Sequence, residues 1–387
     1  MKITRISTSV VNARMRNWVF VRVDTDVPGL FVLGEATLEF QTRGVVGAVE
    51  DLSLLILGQD PRNIEHLWQI MFRHPFFKGG IVTMSALSGI DQALHDLKAK
   101  DLGIPLWQLL GGQCRSRLRM YDHLGGGDSN SVYDSAQVGS FAEKAARSKA
   151  DGFSAVKILA VGKTAPLDGL AALKQADALM AAAREGAGPD MDIMVDLHGR
   201  TTAAMAIQYC DVLAPYRPWF IEEPCQPEDH EGTARVARAT HIPIAAGERL
   251  CHRREFLPLL QSGAIAIAQP DVCHAGGLTE VRRIAALCDT FGVSMAPHNP
   301  LGPIATMVNI HLGFATPNFL IQEVMRSDVP WRDAIVSGVT PIIGGYVEPS
   351  QAPGIGIEIN FDEAAKHPYQ DVNPVQWYHH DGAVADW

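Results

Sequence analysis

Ile193-Met194-Val195-Asp196, Trp219-Phe220-Ile221-Glu222 and Ile242-Pro243-Ile244-Ala245-Ala246-Gly247-Glu248 are three short apolar runs that each end on a carboxylate. Three further runs continue the series, ending on Asp271, His298 and Glu323. The spacings between successive ends are 26, 26, 23, 27 and 25 residues. A strand of about five residues, a helix of about twelve and two short loops fill such a period, and Ala- and Leu-rich helical stretches lie between the runs. The runs are continuously apolar rather than alternating, as parallel strands covered on both faces require. Repeated βα units whose strands all end in polar residues predict a (β/α) barrel with its site at the C-terminal rim. An open doubly wound sheet has a similar period, but no Gly-rich phosphate loop follows the first strand of the repeat.

The first 125 residues read differently. Trp18-Val19-Phe20-Val21-Arg22-Val23 and Leu30-Phe31-Val32-Leu33-Gly34-Glu35 alternate like strands of an antiparallel sheet. Ala86, Ile90, Ala93, Leu94 and Leu97 recur at helical spacing, with Gly103 and Pro105 ending the helix. The expected organisation is an N-terminal α+β unit at 1–125 and a barrel at 126–340. A C-terminal segment at 341–387 is expected to return to the first unit, with Pro353-Gly354-Ile355-Gly356-Ile357-Glu358-Ile359 as its clearest strand.

Composition narrows the partners. With 33 Lys and Arg against 43 Asp and Glu the net charge is −10, and no basic stripe would attract nucleic acid. No apolar run is long enough to span a bilayer, and Arg14 and Arg16 interrupt the only apolar stretch near the start, so a cytoplasmic address is expected. The six cysteines have no C-x-x-C spacing, which argues against a disulfide framework or a zinc cluster.

Asp196, Glu222 and Glu248 terminate three successive strands, so a barrel would converge their carboxylates at one rim. Any one alone would ordinarily be a solvated loop residue. Three together would repel unless a cation neutralises them, and an all-oxygen donor set suits Mg²⁺ rather than Zn²⁺. Asp271 and His298 end adjacent strands, where the carboxylate would orient the imidazole and raise its basicity. His198 lies two residues past Asp196, on the same face if the strand continues, and could serve as a second acid or base. A metal that holds a substrate carboxylate and two flanking histidines suit removal of an α-proton followed by loss of a β-hydroxyl.

These residues resemble the mandelate racemase subgroup of the enolase superfamily. The motifs Asp196-Leu197-His198-Gly199-Arg200, Phe220-Ile221-Glu222-Glu223-Pro224, Ala246-Gly247-Glu248-Arg249, Gln269-Pro270-Asp271 and Ala296-Pro297-His298 resemble most its galactonate-dehydrating branch. Gly89-Ile90-Asp91-Gln92-Ala93-Leu94 near the front and Val384-Ala385-Asp386-Trp387 at the end extend the likeness along the chain. The resemblance implies an α/β fold, a modified TIM barrel (β/α)₇β with an N-terminal α+β capping domain. It implies Mg²⁺ on Asp196, Glu222 and Glu248, His298 as the base at C2 with Asp271 as its partner, and His198 as the acid expelling the C3 hydroxyl. Glu323 would hydrogen-bond the substrate carboxylate. The implied reaction is dehydration of a galactonate-like sugar acid to a 2-keto-3-deoxy acid, by a homo-oligomer.

A K-x-K pair that serves related members as a second base is absent, since Ile158 and Leu159 follow Lys157. Three other functions remain open: a cycloisomerase or epimerase on a related acid, a catalytically silent sugar-acid-binding protein, and a zinc hydrolase. The last would want an H-x-H pair, and position 196 is Asp.

Overall fold

The computed structural model describes residues 1–124, 138–326, 328–372, 376–379 and 381–386. The expected boundary at 125/126 and the terminal Trp387 lie outside the described residues.

Three antiparallel strands in the order β1 (Ile3–Asn12), β2 (Asn17–Thr25), β3 (Phe31–Glu35) open the chain. The alternation expected of β2 is one of destination, because both of its faces are covered. Trp18 and Phe20 join the core shared with the barrel, while Val19, Val21 and Val23 join the core of the cap. Helices α1 (Thr42–Ile56), α2 (Ile64–Arg73) and α3 (Ile81–Asp101) cover the second face, and the short α4 (Leu106–Leu109) follows. All of α3 from Met84 to Leu97 is buried, as befits a helix between two layers. It lies so close to β3 that a Cβ on Gly34 would collide with the Gly89 carbonyl.

The barrel strands are β4 (Leu118–His123), β5 (Ala155–Ile158), β6 (Asp192–Asp196), β7 (Ile221–Glu222), β8 (Ile244–Ala246), β9 (Ile267–Ala268), β10 (Ser294–Met295) and β11 (Gln322–Val324). Each pairs in parallel with the next from β4 to β10. β11 pairs in parallel with β4, and a Met295–Phe319 bridge completes the circuit. Between consecutive strands lie α5 (Val138–Ala150), α6 (Leu170–Ala187), α7 (Ala203–Leu213), α8 (His230–Ala239), α9 (Arg253–Gln261), α10 (Gly277–Thr290) and α11 (Pro303–Ala315). The order is that of a (β/α)₇β barrel, as expected.

Eight residues, one from each strand or its immediate flank, fill the barrel interior: Tyr121, Ala155, Met194, Phe220, Ala245, Ile267, Ala296 and Ile321. Their neighbours Val156, Val195, Ile221, Ile244 and Ala268 belong to the core beneath the helices. The apolar runs thus divide into an inward and an outward set, which is why they look continuous in sequence.

The expected strand at 353–359 is a correction. Only β14 (Glu358–Ile359) forms a strand there, against β12 (Val336–Ser337), while Gly354 makes a single bridge to Pro105. Gly354 and Gly356 turn the chain at φ 69° and 73°, and the Ile355 amide is bound to Asp96 of α3 rather than to a neighbouring strand. The strand β13 (Tyr346–Val347) pairs antiparallel with the start of β4. The tail then meets the cap: the Asn12 amide donates to the His367 carbonyl and Asn17 Nδ2 to that of Gln370. No helix among the described residues is long and apolar enough to cross a membrane.

Candidate active site

The interior residues specify what stands above them. Side chains two apart on a strand share a face. One step beyond Tyr121, Ala155, Met194, Phe220 and Ile321 therefore come His123, Lys157, Asp196, Glu222 and Glu323, with Gln269 following Ile267 and His298 following Ala296. This is a polar ring laid on an apolar plug. Glu248 is the exception, since two beyond Ala245 is Gly247. Gly247 sits at φ 128°, where a Cβ would run into the Phe256 ring, and the turn there carries Glu248 to the rim instead.

Asp196, Glu222 and Glu248 each bring an oxygen to within 4.8 Å of the others. Burial and the facing Asp196 carboxylate push the Glu222 carboxyl well above the usual range. Burial with Glu223 and Asp196 does the same to Glu248. Burial would raise Asp196 as well, but His198 and Lys157 hold it below its ordinary value. Glu222 Oε2 and Glu248 Oε2 are buried and have no hydrogen-bond partner. An all-oxygen trio with orphaned, buried, mutually repelling oxygens fits a hard divalent cation, and these three residues could hold one.

Lys157 was not among the residues selected from sequence. It is 1% exposed, and its Nζ donates to Glu222 Oε1 at 2.7 Å and lies 2.9 Å from Glu323 Oε1 and 3.6 Å from Asp196 Oδ2. Burial disfavours its charge, but Glu222 and Glu323 outweigh it and raise the ammonium pKa well above normal. Glu323 is likewise held down to about 2 against its burial, by Lys157 and His298, and its Oε2 accepts from the Asn299 amide at 2.7 Å. Gln269, also missed, is fully buried with neither amide atom paired. The two-residue step from the apolar interior would have found both.

His298 and Asp271 meet as expected, Nδ1 to Oδ2 at 2.7 Å, although each lies just past the end of its strand. Asp271 Oδ1 accepts from the Cys273 amide at 2.6 Å, and His274, 3.7 Å from Asp271, is itself bonded to Ser85 of α3 at 2.9 Å. The carboxylate is therefore fixed from two sides. Burial disfavours the imidazolium of His298, yet the bond to Asp271 leaves its pKa raised. Its Nε2 faces the carboxylates, 3.7 Å from Glu248 Oε2.

His198 reaches the site by another route than the one expected. The strand ends at Asp196, and His198 and Gly199 both take left-handed conformations, φ 53° and 63°. This turn, held by the His198 amide on Asp196 Oδ1 at 2.8 Å, folds the ring back to lie 3.2 Å from Asp196 Oδ2. The space above the ring measures about 140 Å³ and is lined by His123, His198, His298, Lys157, Asp196 and Glu248, with Met15, Arg16 and Glu39 from the cap side. A larger concavity, about 920 Å³ between α2, α3 and α10, holds one carboxylate, Glu65, and no comparable cluster.

Residues 2–111 match the mandelate racemase / muconate lactonizing enzyme N-terminal domain, and residues 140–364 match the enolase C-terminal domain-like family. The chain belongs to the enolase superfamily. Among curated relatives, the D-galactonate dehydratases of Ralstonia nicotianae and Pectobacterium atrosepticum are each 39% identical over the full length of both chains. Among solved structures, an enolase superfamily member from Salmonella Typhimurium superposes with a TM-score of 0.87 at 31% identity, covering 95% of this chain and 98% of that one. A mandelate racemase/muconate lactonizing enzyme from Jannaschia sp. CCS1 superposes with a TM-score of 0.87 at 32% identity, covering 96% and 98%. The superfamily membership expected from the strand-end motifs is thus met along the whole chain.

Proposed function

We propose that this protein is a Mg²⁺-dependent sugar-acid dehydratase that converts a galactonate-like aldonate to its 2-keto-3-deoxy acid. The observation that carries the proposal is the trio Asp196, Glu222 and Glu248 with the His298–Asp271 dyad turned towards it. The full-length likeness to D-galactonate dehydratases supports the reaction class.

The trio would hold Mg²⁺, which when bound would supply Lewis-acid stabilisation of the charge that develops on the substrate carboxylate. Asp271 can only accept from the ring, so neutral His298 carries its proton on Nδ1 and keeps a lone pair at Nε2. His298 Nε2 takes the C2 proton. His198 donates a proton to the C3 hydroxyl, which leaves as water, and the resulting enol ketonises. Lys157, paired with Glu323, adds a fixed positive charge to the ring that would offset the charge developing on the substrate carboxylate. General acid and base transfer of this kind contributes roughly 10²–10⁴-fold each. Epimerisation through the same intermediate is the competing reading; it lacks a lysine base at 159, where Leu159 is buried against Met15. The reading includes a cytoplasmic homo-oligomer, for which Phe76 and Phe77, 88% and 90% exposed, offer apolar surface.

The test is a screen of purified protein with Mg²⁺ against aldonic and uronic acids of four to six carbons, detecting 2-keto-3-deoxy products with semicarbazide. Product from an aldonate that vanishes with EDTA and returns with Mg²⁺ is expected. Silence across the set with Mg²⁺ bound would overturn the reading.

A further inference from the structure

The end of the chain reaches the side of the site that carries His198. Tyr378 and Val384 form an antiparallel bridge, and the Ala385 amide donates to the Trp377 carbonyl at 2.9 Å, so the tail folds back on itself. Lys163, in the connection after β5, donates from Nζ to the Tyr378 carbonyl at 2.7 Å. The half-buried Trp377 ring then lies against Arg200, whose guanidinium carbon is 5.1 Å from the ring centroid.

Arg200 stands two residues past His198 and is 6% exposed. It closes the turn on which His198 rides: its amide donates to the Leu197 carbonyl at 3.1 Å and its Nε to the same oxygen at 3.2 Å. A terminal nitrogen donates to the Val161 carbonyl at 3.0 Å, and the Arg200 carbonyl accepts from Thr164 Oγ1 at 2.7 Å. One buried side chain thus ties the turn after β6 to the connection after β5. The tie matters because His198 holds φ 53°, a left-handed conformation that a residue with a Cβ keeps only when its surroundings impose it. A cation buried here is stabilised by an aromatic face, and an indole is the strongest aromatic partner for it. The His298–Asp271 dyad is fixed instead by the Cys273 amide and the His274–Ser85 pair, none of them in the tail.

We propose that Trp377 is a positioning residue for the acid step: by holding the Arg200 guanidinium it fixes the left-handed turn that aims His198, so that the tail governs loss of the hydroxyl and not removal of the C2 proton. This rests on the dehydratase reading of the site and adds a residue to it from the far end of the chain.

The experiment follows two rates in D₂O, with Mg²⁺ and the best acid of the screen, in wild type, Trp377→Ala, Trp377→Phe and Arg200→Lys. One is formation of the 2-keto-3-deoxy product, the other exchange of the C2 proton in unreacted substrate. Both come from one sample, so their ratio does not depend on the fraction of protein that folds. Trp377→Ala should lower elimination relative to exchange by roughly 10–100-fold, the range for a lost desolvated cation–π contact and a misplaced proton donor. Trp377→Phe keeps an aromatic face and should recover most of the ratio. Arg200→Lys keeps the charge but cannot hold two carbonyls from one planar group, and should shift the ratio in the same direction as Trp377→Ala. A ratio that stays at the wild-type value in Trp377→Ala, whether activity is kept or both rates fall together, would overturn the proposal. So would a Trp377→Phe variant no better than Trp377→Ala. A wild type that dehydrates no sugar acid would instead overturn the reading beneath it.

Discussion

Glu35 and Glu222 are both fully buried carboxylates, one in the seam between cap and barrel, the other in the ring at the barrel mouth. Glu35 accepts from the amides of Gly302 at 2.8 Å and Ala305 at 2.9 Å, at the N-terminus of α11, and from Thr37 Oγ1 at 2.7 Å. Its charge rests on a helix dipole and every oxygen is used. Glu222 has Lys157 on one oxygen and nothing on the other, with Asp196 and Glu248 close by. The same contrast holds more widely. In the seam, Asp91 holds the amide and hydroxyl of Thr279 at 3.0 and 2.6 Å, and Gln92 Nε2 donates to the carbonyls of Glu35 and Val272. In the seam the buried carboxylates are satisfied and fasten the two domains together; in the ring, orphaned oxygens crowd between like charges, which is where a cation would complete the structure.

The largest effect that would break this comparison is at the ring. Glu222→Gln should reduce activity by more than about 10³-fold through loss of the metal. It should also abolish the stabilisation that Mg²⁺ gives wild type, about 2.7 kcal/mol at a hundredfold excess over Kd. Thermal melts in EDTA should find the metal-free variant no less stable than wild type, because a repelling charge has gone. A clear loss of metal-free stability would mean that Glu222 is a structural partner of Lys157 rather than a waiting ligand.

Next in size, His298→Asn should lower kcat by roughly 10²–10⁴-fold while calorimetry finds Mg²⁺ binding intact. His198→Asn should stop hydroxyl loss but spare exchange of the C2 proton with D₂O, since abstraction by His298 comes first. Exchange that is lost in His198→Asn but retained in His298→Asn would reverse the two roles.

The smallest effect sharpens the other side. Glu35→Gln places an NH₂ group against backbone N–H donors and should lower stability by about 1.5–3 kcal/mol in chemical denaturation. Mg²⁺ affinity should stay as in wild type. Unchanged stability would show that the seam does not depend on its buried charge.

How far the sequence could be read follows the same division. The barrel was legible because parallel strands covered on both faces leave continuous apolar runs at a regular period. The trio and the dyad were legible because each carboxylate or histidine closes such a run. Lys157 does not stand out in the sequence because the K-x-K pair is broken at Leu159, and Gln269 does not because an amide carries no obvious chemistry. The strand expected at 353–359 failed because its alternation came from glycines at positive φ, with the amide between them bound to Asp96.

Period and polarity are local properties of the chain, so the repeat and the residues that end its runs could be read from the sequence, whereas continuous apolar runs do not say which residues face inward. Only the tertiary structure decided that Glu35 caps a helix more than 260 residues away, that a left-handed turn folds His198 onto Asp196, and that Arg16 and Glu39 of the cap enter the barrel mouth already paired. The first and last arise from desolvation and charge matching between segments remote in the chain and the second from a local backbone turn, and none leaves a periodic trace in the residues that take part.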